Sequence, residues 1–197
     1  MHPPRRLRAS ILGLTVALGS SGASAHAQYD PKAAEPIPRL RGTFFLVGGG
    51  DVPAGTHEGF LEMAGGTQAR LVLLAPPETP GPAIATWKKH QTAQCTSLTW
   101  QDVSRPAGLA QLSKATGVWI LGDSGNDFAD ATQGTPVEQA LRDLIARSGV
   151  LGCNGGIVRA LGKVMIRDGQ PHAKVRAGLA LVPGVVLDDR FTTGKRR

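Results

Sequence analysis

The sequence is poor in cysteine, in aromatic residues and in charge. Of its 197 residues, two are cysteines, 5% are aromatic and 19% are charged. A small secreted domain that is held together by disulfides carries more cysteine, so the sequence excludes that class. Proteins that bind nucleic acid through a basic surface carry Lys and Arg interleaved with aromatic residues, and we find no such stripe. We therefore expect no nucleic-acid partner.

Metal-site patterns are missing as well, because no group of His, Cys and Asp has the spacing of metal ligands. We expect neither a metal nor a cofactor. What the chain has in quantity is apolar residues, at 41%, together with 26 glycines, 14 prolines and a formal charge of +7. That apolar fraction is too high for a long disordered protein. The length suits one domain with a full-sized core.

The first 27 residues have the three parts of a secretory signal peptide. These parts are arginines at positions 5, 6 and 8, an uncharged and mostly apolar run over 11–19, and alanines at positions 25 and 27. The pattern predicts cleavage before Gln28 and export to the periplasm or the cell exterior. A membrane anchor is the alternative, but the apolar run is shorter than the ~20 residues that span a bilayer. No later segment is apolar enough, so we expect no membrane contact after cleavage.

Cleavage at this point leaves a mature chain of 170 residues with 19 basic and 15 acidic residues, a formal charge of +4. We divide it into an extended, proline-rich lead-in at 28–41, an α/β domain at 42–191 and a basic tail at 192–197. The tail contains one lysine and two arginines. Most of the positive excess therefore belongs to the tail and not to the surface of the domain.

Short apolar runs alternate with helical segments along the domain. Strands are predicted at 43–47, 69–75, 96–100, 117–121 and 150–151, and helices at 57–64, 83–93, 106–115 and 136–148. This alternation predicts a three-layer α/β/α fold whose mostly parallel sheet has helices on both faces. In such sheets, ligands bind where the strands end. The glycine-rich strand exits at 48–50, 122–125 and 152–156 are therefore the candidate site.

The two cysteines fall on different predicted strands. Cys95 lies at the start of one strand and Cys153 at the end of another, and these positions belong to opposite edges of a parallel sheet. Export would allow a disulfide, but this separation favours two buried free thiols.

The strand exit at 152–156 has the spacing of a nucleophile elbow, which is G-x-S-x-G between a strand and a helix. The glycines are needed because the central residue sits on a strained turn with little room. Here the spacing gives Gly152-x-Asn154-x-Gly156. A carboxamide is not an ordinary nucleophile for acyl transfer, so Asn154 at the apex argues against hydrolysis.

Four parts of the chain resemble the cyanophycinase-like serine peptidases, which share the class I glutamine amidotransferase-like fold. The parts are FLVGGGD at 45–51, AGG at 64–66 with LVLL at 71–74, GVLGCNGG at 149–156 with VMI at 164–166, and GLALVPGVVLD at 178–188. The last of these is the most specific. The resemblance implies the class I glutamine amidotransferase-like fold, a serine nucleophile at the elbow and a histidine base after the last strand.

The chain departs from the family at both catalytic positions. The family elbow is G-T-S-A-G, and alignment of the outer glycines puts Asn154 at the serine, whereas an ungapped alignment puts Gly155 there. The family Asp-Gln-His-Phe becomes DDRF at 188–191, so Arg190 replaces the histidine. Arginine stays protonated and cannot accept a proton from a nucleophile. The glutamine of the family turn Gly-Gly-Asp/Asn-Gln is missing at 122–125, and the chain ends soon after position 191, where the family continues.

The sequence therefore predicts an exported, cyanophycinase-like protein without peptidase activity. It would bind a peptide or a small polar ligand through the strand exits, and the candidate ligand-binding residues are Gly49, Gly50, Gly122, Asp123, Ser124 and Gly155. An active hydrolase is the alternative, with Cys153 as an unconventional nucleophile and His172 as its base. A third interpretation is a degenerate chain without a stable fold. The turn at 122–125 could equally cap its own backbone instead of contacting a ligand.

Overall fold

The structure, a computed structural model, describes residues 40–79, 81–167 and 174–189. All of these residues belong to one compact unit of the chain. The predicted signal peptide lies outside the described residues, as do the basic tail and most of the lead-in.

A five-stranded parallel sheet forms the centre of this unit. Its strands are β1 (Thr43–Val47), β2 (Arg70–Ala75), β3 (Gln94–Thr99), β4 (Gly117–Ile120) and β5 (Val150–Asn154), and they lie in the order β1-β5-β4-β2-β3. Every pairing in this sheet is parallel. The carboxyl ends of all five strands therefore meet at one edge, as parallel β-α-β connections require.

Helices cover both faces of the sheet. They are α1 (Thr56–Met63), α2 (Gly81–Lys88), α3 (Pro106–Lys114), α4 (Gly125–Thr132), α5 (Pro136–Ala146) and α6 (Ile157–Ala160), and single 3-10 turns lie at Gly66–Gln68 and Asp102–Ser104. Successive side chains of a strand point to opposite faces. Leu71 and Leu73 of β2 accordingly pack with α1 and α2, whereas Val72 and Leu74 pack with the other helices. The predicted three-layer fold is confirmed.

Helix α5 begins at residue 136, as predicted, and its first turn is capped by side chains. Thr135 Oγ1 accepts a hydrogen bond from the Val137 amide at 3.2 Å, and Pro136 occupies the first helical position. The Glu138 carboxylate accepts from the Gly134 amide at 2.7 Å, one residue before the expected partner in a capping box. The apolar stripe of this helix is buried against the sheet, and its members are Val137, Leu141, Leu144 and Ile145.

The last three strands form a second sheet that the sequence did not separate from the first. They are β6 (Gly162–Arg167), β7 (Lys174–Ala177) and β8 (Val182–Leu187), in the order β7-β6-β8. Strand β6 pairs antiparallel with β7 and parallel with β8. The resemblance segments at 164–166 and 178–188 lie here, and Val175 and Val186 remain more than half exposed.

Three further expectations need correction. Helix α2 ends at Lys88 instead of residue 93, and β3 begins at Gln94 instead of residue 96. Helix α4 was predicted only as a glycine turn, yet Ser124 Oγ accepts from the Asp127 amide at 3.2 Å and so starts a helix.

The cysteines are both free, as predicted. Cys153 is fully buried, whereas Cys95 is only half-buried. In the described part of the chain, none of the helices combines the length and the hydropathy needed to cross a bilayer.

Candidate functional site

The exits of β1 and β5 lie side by side at the carboxyl edge of the sheet. Val47 pairs with Asn154 in the parallel register. The next amide, that of Gly155, donates to the Val47 carbonyl at 3.1 Å and to the Gly48 carbonyl at 3.3 Å. Two of the three glycine-rich exits that the sequence singles out are thus joined by the backbone.

The strained residue of the elbow is Gly155. Strand β5 ends at Asn154 and helix α6 begins at Ile157, and between them Gly155 has a φ of 62°. A nucleophile elbow places its nucleophile on the strained strand-to-helix turn. The backbone conformation therefore matches the ungapped alignment, in which Gly155 and not Asn154 stands where the family has its serine. At this position the chain carries no side chain at all.

The space above the elbow is filled by other groups of the chain. A Cβ atom on Gly155 would collide with the carboxylate of Asp123, and one on Gly156 would collide with the Asp123 carbonyl oxygen. The Cβ on Gly156 would also come within 3.0 Å of Arg159 Nη2. Asp123 itself is exposed. The elbow therefore has room for glycine alone while Asp123 and Arg159 keep their positions.

The first glycine of the elbow pattern has a structural reason. Gly152 lies within β5, and a Cβ atom there would collide with the Trp119 ring of the neighbouring strand β4. Its presence follows from packing and is independent of catalysis.

Two carboxamide oxygens beside the elbow are enclosed without a hydrogen-bond donor. They are Oδ1 of Asn154 at the end of β5 and Oδ1 of Asn126 in the first turn of α4. This turn abuts the elbow, because Gly125 packs directly against the Gly156 carbonyl. A buried acceptor without a donor costs about 1–3 kcal/mol. Such an oxygen is an attachment point for water or a ligand.

A buried ion pair joins the elbow helix to the end of β8. Arg159 Nε lies 2.7 Å from Asp189 Oδ1, and both side chains are only 4% exposed. Arg159 Nη1 also donates to the Ile166 carbonyl at 3.3 Å. The Asp189 carbonyl lies 3.6 Å from where a Cβ of Gly49 would stand. The segment that resembles the family's base-bearing motif thus ends beside the elbow.

This ion pair is not predicted from the sequence. A signal was present, because Arg159 is the one charged residue in the otherwise apolar stretch IVRAL at 157–161. Its acidic partner lies 30 residues later in the chain, and spacing alone does not identify it.

Cys153 does not have the environment of a nucleophile. Its side chain is 0% exposed and packs in the apolar core. Burial raises the pKa of this thiol far above its usual range, so the reactive thiolate does not form near neutral pH. The other proposed participants, His172 and Arg190, lie outside the described residues.

The remaining predicted ligand-binding residues divide into two groups. Gly49 and Gly50 lie in the exposed β1 exit. Gly122 has a φ of 120° and packs beside Pro76 and Trp100, so it shapes the turn before α4. The hydroxyl of Ser124 is used as the cap of α4. The capping interpretation thus holds for Ser124, whereas Asp123 faces the elbow.

A separate cavity of about 400 Å³ lies away from the strand exits. It is bordered by Leu40 and Arg41 before β1, by Arg142 and Ile145 of α5, and by Leu181 before β8. This end of the sheet holds the amino ends of β1 and β5. Among the described residues, no group of three or more His, Cys, Asp or Glu side chains is arranged to hold a metal ion.

Several solved structures are similar to the chain, including two that are named as peptidases. A peptidase from an acI-B1 Actinobacterium matches with a TM-score of 0.54 and 16% identity, over 72% of this chain and 66% of the other. A putative peptidase E protein from Listeria monocytogenes EGD-e matches with a TM-score of 0.51 and 14% identity, over 73% of this chain and 76% of the other. No family model and no curated protein matches the chain.

This likeness concerns the fold. The chain spans about two thirds of the length of the actinobacterial peptidase. Its parallel five-stranded sheet with helices on both faces is the architecture of the peptidase E-like proteins. The chain therefore has a peptidase-like fold of the class I glutamine amidotransferase-like type.

Proposed function

We propose that the chain is an exported, cyanophycinase-like protein that binds a peptide or a small polar ligand without hydrolysing it. The observation that carries the proposal is Gly155 at the strained elbow position, with a φ of 62°. Acyl transfer needs an attacking hydroxyl or thiol at the elbow, held beside a base. Glycine supplies neither. The Asp123 carboxylate takes up the volume that an attacking side chain would need.

The binding role is supported by what remains around the elbow. Exposed glycine backbone at 48–50, the Asp123 carboxylate and two enclosed carboxamide oxygens lie around one strand edge. In open α/β sheets this edge is where ligands bind. A protein that has lost its nucleophile and keeps these groups can still hold a ligand.

Hydrolysis assays test the proposal directly. The purified mature protein is incubated with β-aspartyl-arginine and related dipeptides, and newly formed amino groups are measured. We expect no release above the blank. Release that disappears in Asn154→Ala would contradict the proposal and would restore Asn154 as a working residue of the site.

The Cys153 alternative has its own matched pair of variants. Cys153→Ala and Cys95→Ala each remove one of the two thiols. The alternative would be established by two results together. Hydrolysis would be lost in Cys153→Ala but kept in Cys95→Ala, and a thiol reagent would label Cys153 in the folded protein. We expect the native protein to leave Cys153 unlabelled, because it is fully buried.

Two simpler measurements test export and folding. Mass spectrometry of the secreted material is expected to show Gln28 as the first residue. Thermal unfolding of that material is expected to be cooperative, whereas a degenerate chain would show no transition.

A further inference from the structure

The cavity at the amino ends of β1 and β5 has a mostly apolar wall. Its volume is about 400 Å³, and its larger apolar lining residues are Leu40, Ile145, Leu181 and Pro183. Within the described ranges of the chain, no acidic residue lines it. Leu40 remains 41% exposed beside it. An apolar cavity next to an exposed apolar side chain favours a ligand with an apolar part.

Arg142 fixes one wall of this cavity. Its guanidinium donates to the carbonyl oxygens of Leu179 and Ala180, the latter at 3.2 Å, and pairs with the Glu138 carboxylate at 2.6 Å. The contact supports a strained turn, because Ala180 has a φ of 48°, a conformation that residues other than glycine rarely adopt. The wall is therefore held in place before a ligand arrives, and the charge of Arg142 is offset by Glu138.

Arg41 is the second arginine that lines the cavity, and its charge is not offset in this way. Among the residues that the structure describes, no ion pair includes Arg41, which is exposed just before β1. A guanidinium is always charged in proteins and binds a carboxylate through two parallel hydrogen bonds. The lining thus combines apolar surface with one positive charge that lacks a counter-charge.

We infer that this cavity binds an aliphatic carboxylate, with its hydrocarbon chain against the apolar wall and its carboxylate paired with Arg41. Binding sites for small molecules have volumes of about 300–1,000 Å³, mostly apolar walls and a few polar groups that orient the ligand. The cavity has all three properties. It lies at the amino ends of the strands, whereas the elbow lies at their carboxyl ends, so the inference does not depend on the proposed function.

Three ligands with the same eight-carbon chain test the charge preference. Octanoate, 1-octanol and octylammonium differ only in the head group, and calorimetry at pH 7 measures their affinities for the mature protein. We expect octanoate to bind at least about tenfold more tightly than octanol, and octylammonium to bind more weakly than octanol.

A shorter carboxylate tests the apolar wall. Each buried methylene group strengthens binding about fourfold, so hexanoate is expected to bind about fifteenfold more weakly than octanoate. Equal affinities of the two carboxylates would show that the hydrocarbon chain is not buried, which contradicts the inference.

The positive formal charge of the chain attracts any anion, so a matched pair of variants is needed to locate the charged group. Arg41→Gln is expected to weaken octanoate binding by about tenfold and to leave octanol binding unchanged. Arg105→Gln removes an equally exposed charge at the start of α3 and is expected to change neither affinity.

A second pair of variants locates the apolar part of the site. Ala146 lines the cavity from the end of α5 and is exposed, so Ala146→Phe fills the cavity without entering the core. We expect this variant to lose octanoate and octanol binding alike. Ala110→Phe adds the same ring at an exposed position on α3 and is expected to keep both. Thermal unfolding of each variant checks that it folds.

The inference is overturned if the wild-type protein does not bind octanoate, or if octylammonium binds as tightly. It is also overturned if Arg41→Gln or Ala146→Phe, once shown to fold, binds octanoate as the wild type does. None of these outcomes bears on hydrolysis at the elbow, which the dipeptide assay decides separately.

Discussion

The glycines at the exits of β1 and β5 look alike in the sequence but have different structural reasons. At Gly48 and Gly50 a Cβ atom would meet nothing within 4 Å. At Gly155 and Gly156 it would collide with Asp123. The β1 exit is open, whereas the β5 exit is closed by the chain's own groups. A glycine-rich strand exit therefore does not by itself indicate an accessible site.

The largest expected effect comes from the buried ion pair beside the β5 exit. Arg159→Met leaves the Asp189 carboxylate without its 2.7 Å partner at 4% exposure. We expect a loss of about 3 kcal/mol in the free energy of unfolding, measured by urea denaturation. Arg105→Met is the control, because the Arg105–Asp102 pair is exposed and should contribute well under about 1 kcal/mol. Equal losses in the two variants would contradict the role of Arg159.

Added bulk at the closed exit is expected to have the next largest effect. Gly156→Ala forces a methyl group against the Asp123 carbonyl, a backbone atom that cannot rotate away. We expect a loss of about 2 kcal/mol, again by urea denaturation. A loss below about 0.5 kcal/mol would show that the β5 exit has more room than its geometry indicates.

The third prediction asks whether a nucleophile can be put back at the elbow. Gly155→Ser introduces a hydroxyl at a φ of 62° and against the Asp123 carboxylate. We expect an inactive protein that is less stable by about 2 kcal/mol, from backbone strain and overpacking.

Removing Asp123 as well should recover part of that loss. In a double-mutant cycle with Asp123→Ala, we expect a favourable coupling of about 1 kcal/mol between positions 123 and 155. Additive effects would mean that the carboxylate does not occupy the space of the missing side chain.

A smaller, pH-dependent effect concerns the helix that follows the open exit. His57 in α1 stacks on Trp87, with ring centroids 4.2 Å apart. Burial lowers the pKa of His57; Glu58 opposes this shift and His90 adds to it. The unfolded chain then takes up a proton more readily than the folded protein. The contribution of neutral His57 to the free energy of unfolding is therefore complete above pH 6.5, the ordinary pKa of histidine. It is lost as the pH falls through the lower pKa that His57 has in the folded protein.

Urea denaturation at pH 7.5 and 5.5 measures this effect. His57→Phe keeps a ring against Trp87 and is expected to remove that part of the pH dependence. His90→Phe serves as the second variant and should change the pH dependence less, because His90 makes the smallest of the three contributions to the pKa shift of His57. If the stability of His57→Phe depends on pH as strongly as that of the wild-type protein, the pH dependence does not come from His57.

The smallest effect is expected at the open exit itself. Gly48→Ala adds the same methyl group as the change at position 156 but into empty space. We expect a change within about 0.5 kcal/mol of wild type. A large loss in the free energy of unfolding of this variant would show that the β1 exit is not more open than the β5 exit.

Much of the central fold could be predicted because its signals are local. Strand β1 was predicted with its observed ends, and α5 with its observed first residue. The apolar runs of β2 and β4 are nearly continuous, as expected for strands covered on both faces. Alternation of such runs with helices was enough to predict parallel order.

The site could be predicted only in part, because its decisive features depend on backbone conformation and on distant contacts. Sequence spacing allowed Asn154 or Gly155 at the elbow, and the φ of Gly155 distinguishes them. The approach of Asp123 to the elbow and the pairing of Arg159 with Asp189 join different segments of the chain. Helix α4 was not predicted because Ser124 lies in a glycine-rich turn, and its role as the N-cap of a helix is not evident from the sequence.

The position of β1 has a consequence for how the protein folds. Thr43 pairs with Val150, 107 positions later in the chain, and among the described strands β5 is the one neighbour of β1 in its sheet. Such a distant pairing slows folding, since a long loop must close before the contact forms. During synthesis the apolar β1 segment has no strand to pair with until most of the domain has left the ribosome. Chaperones can protect such an exposed strand in this interval.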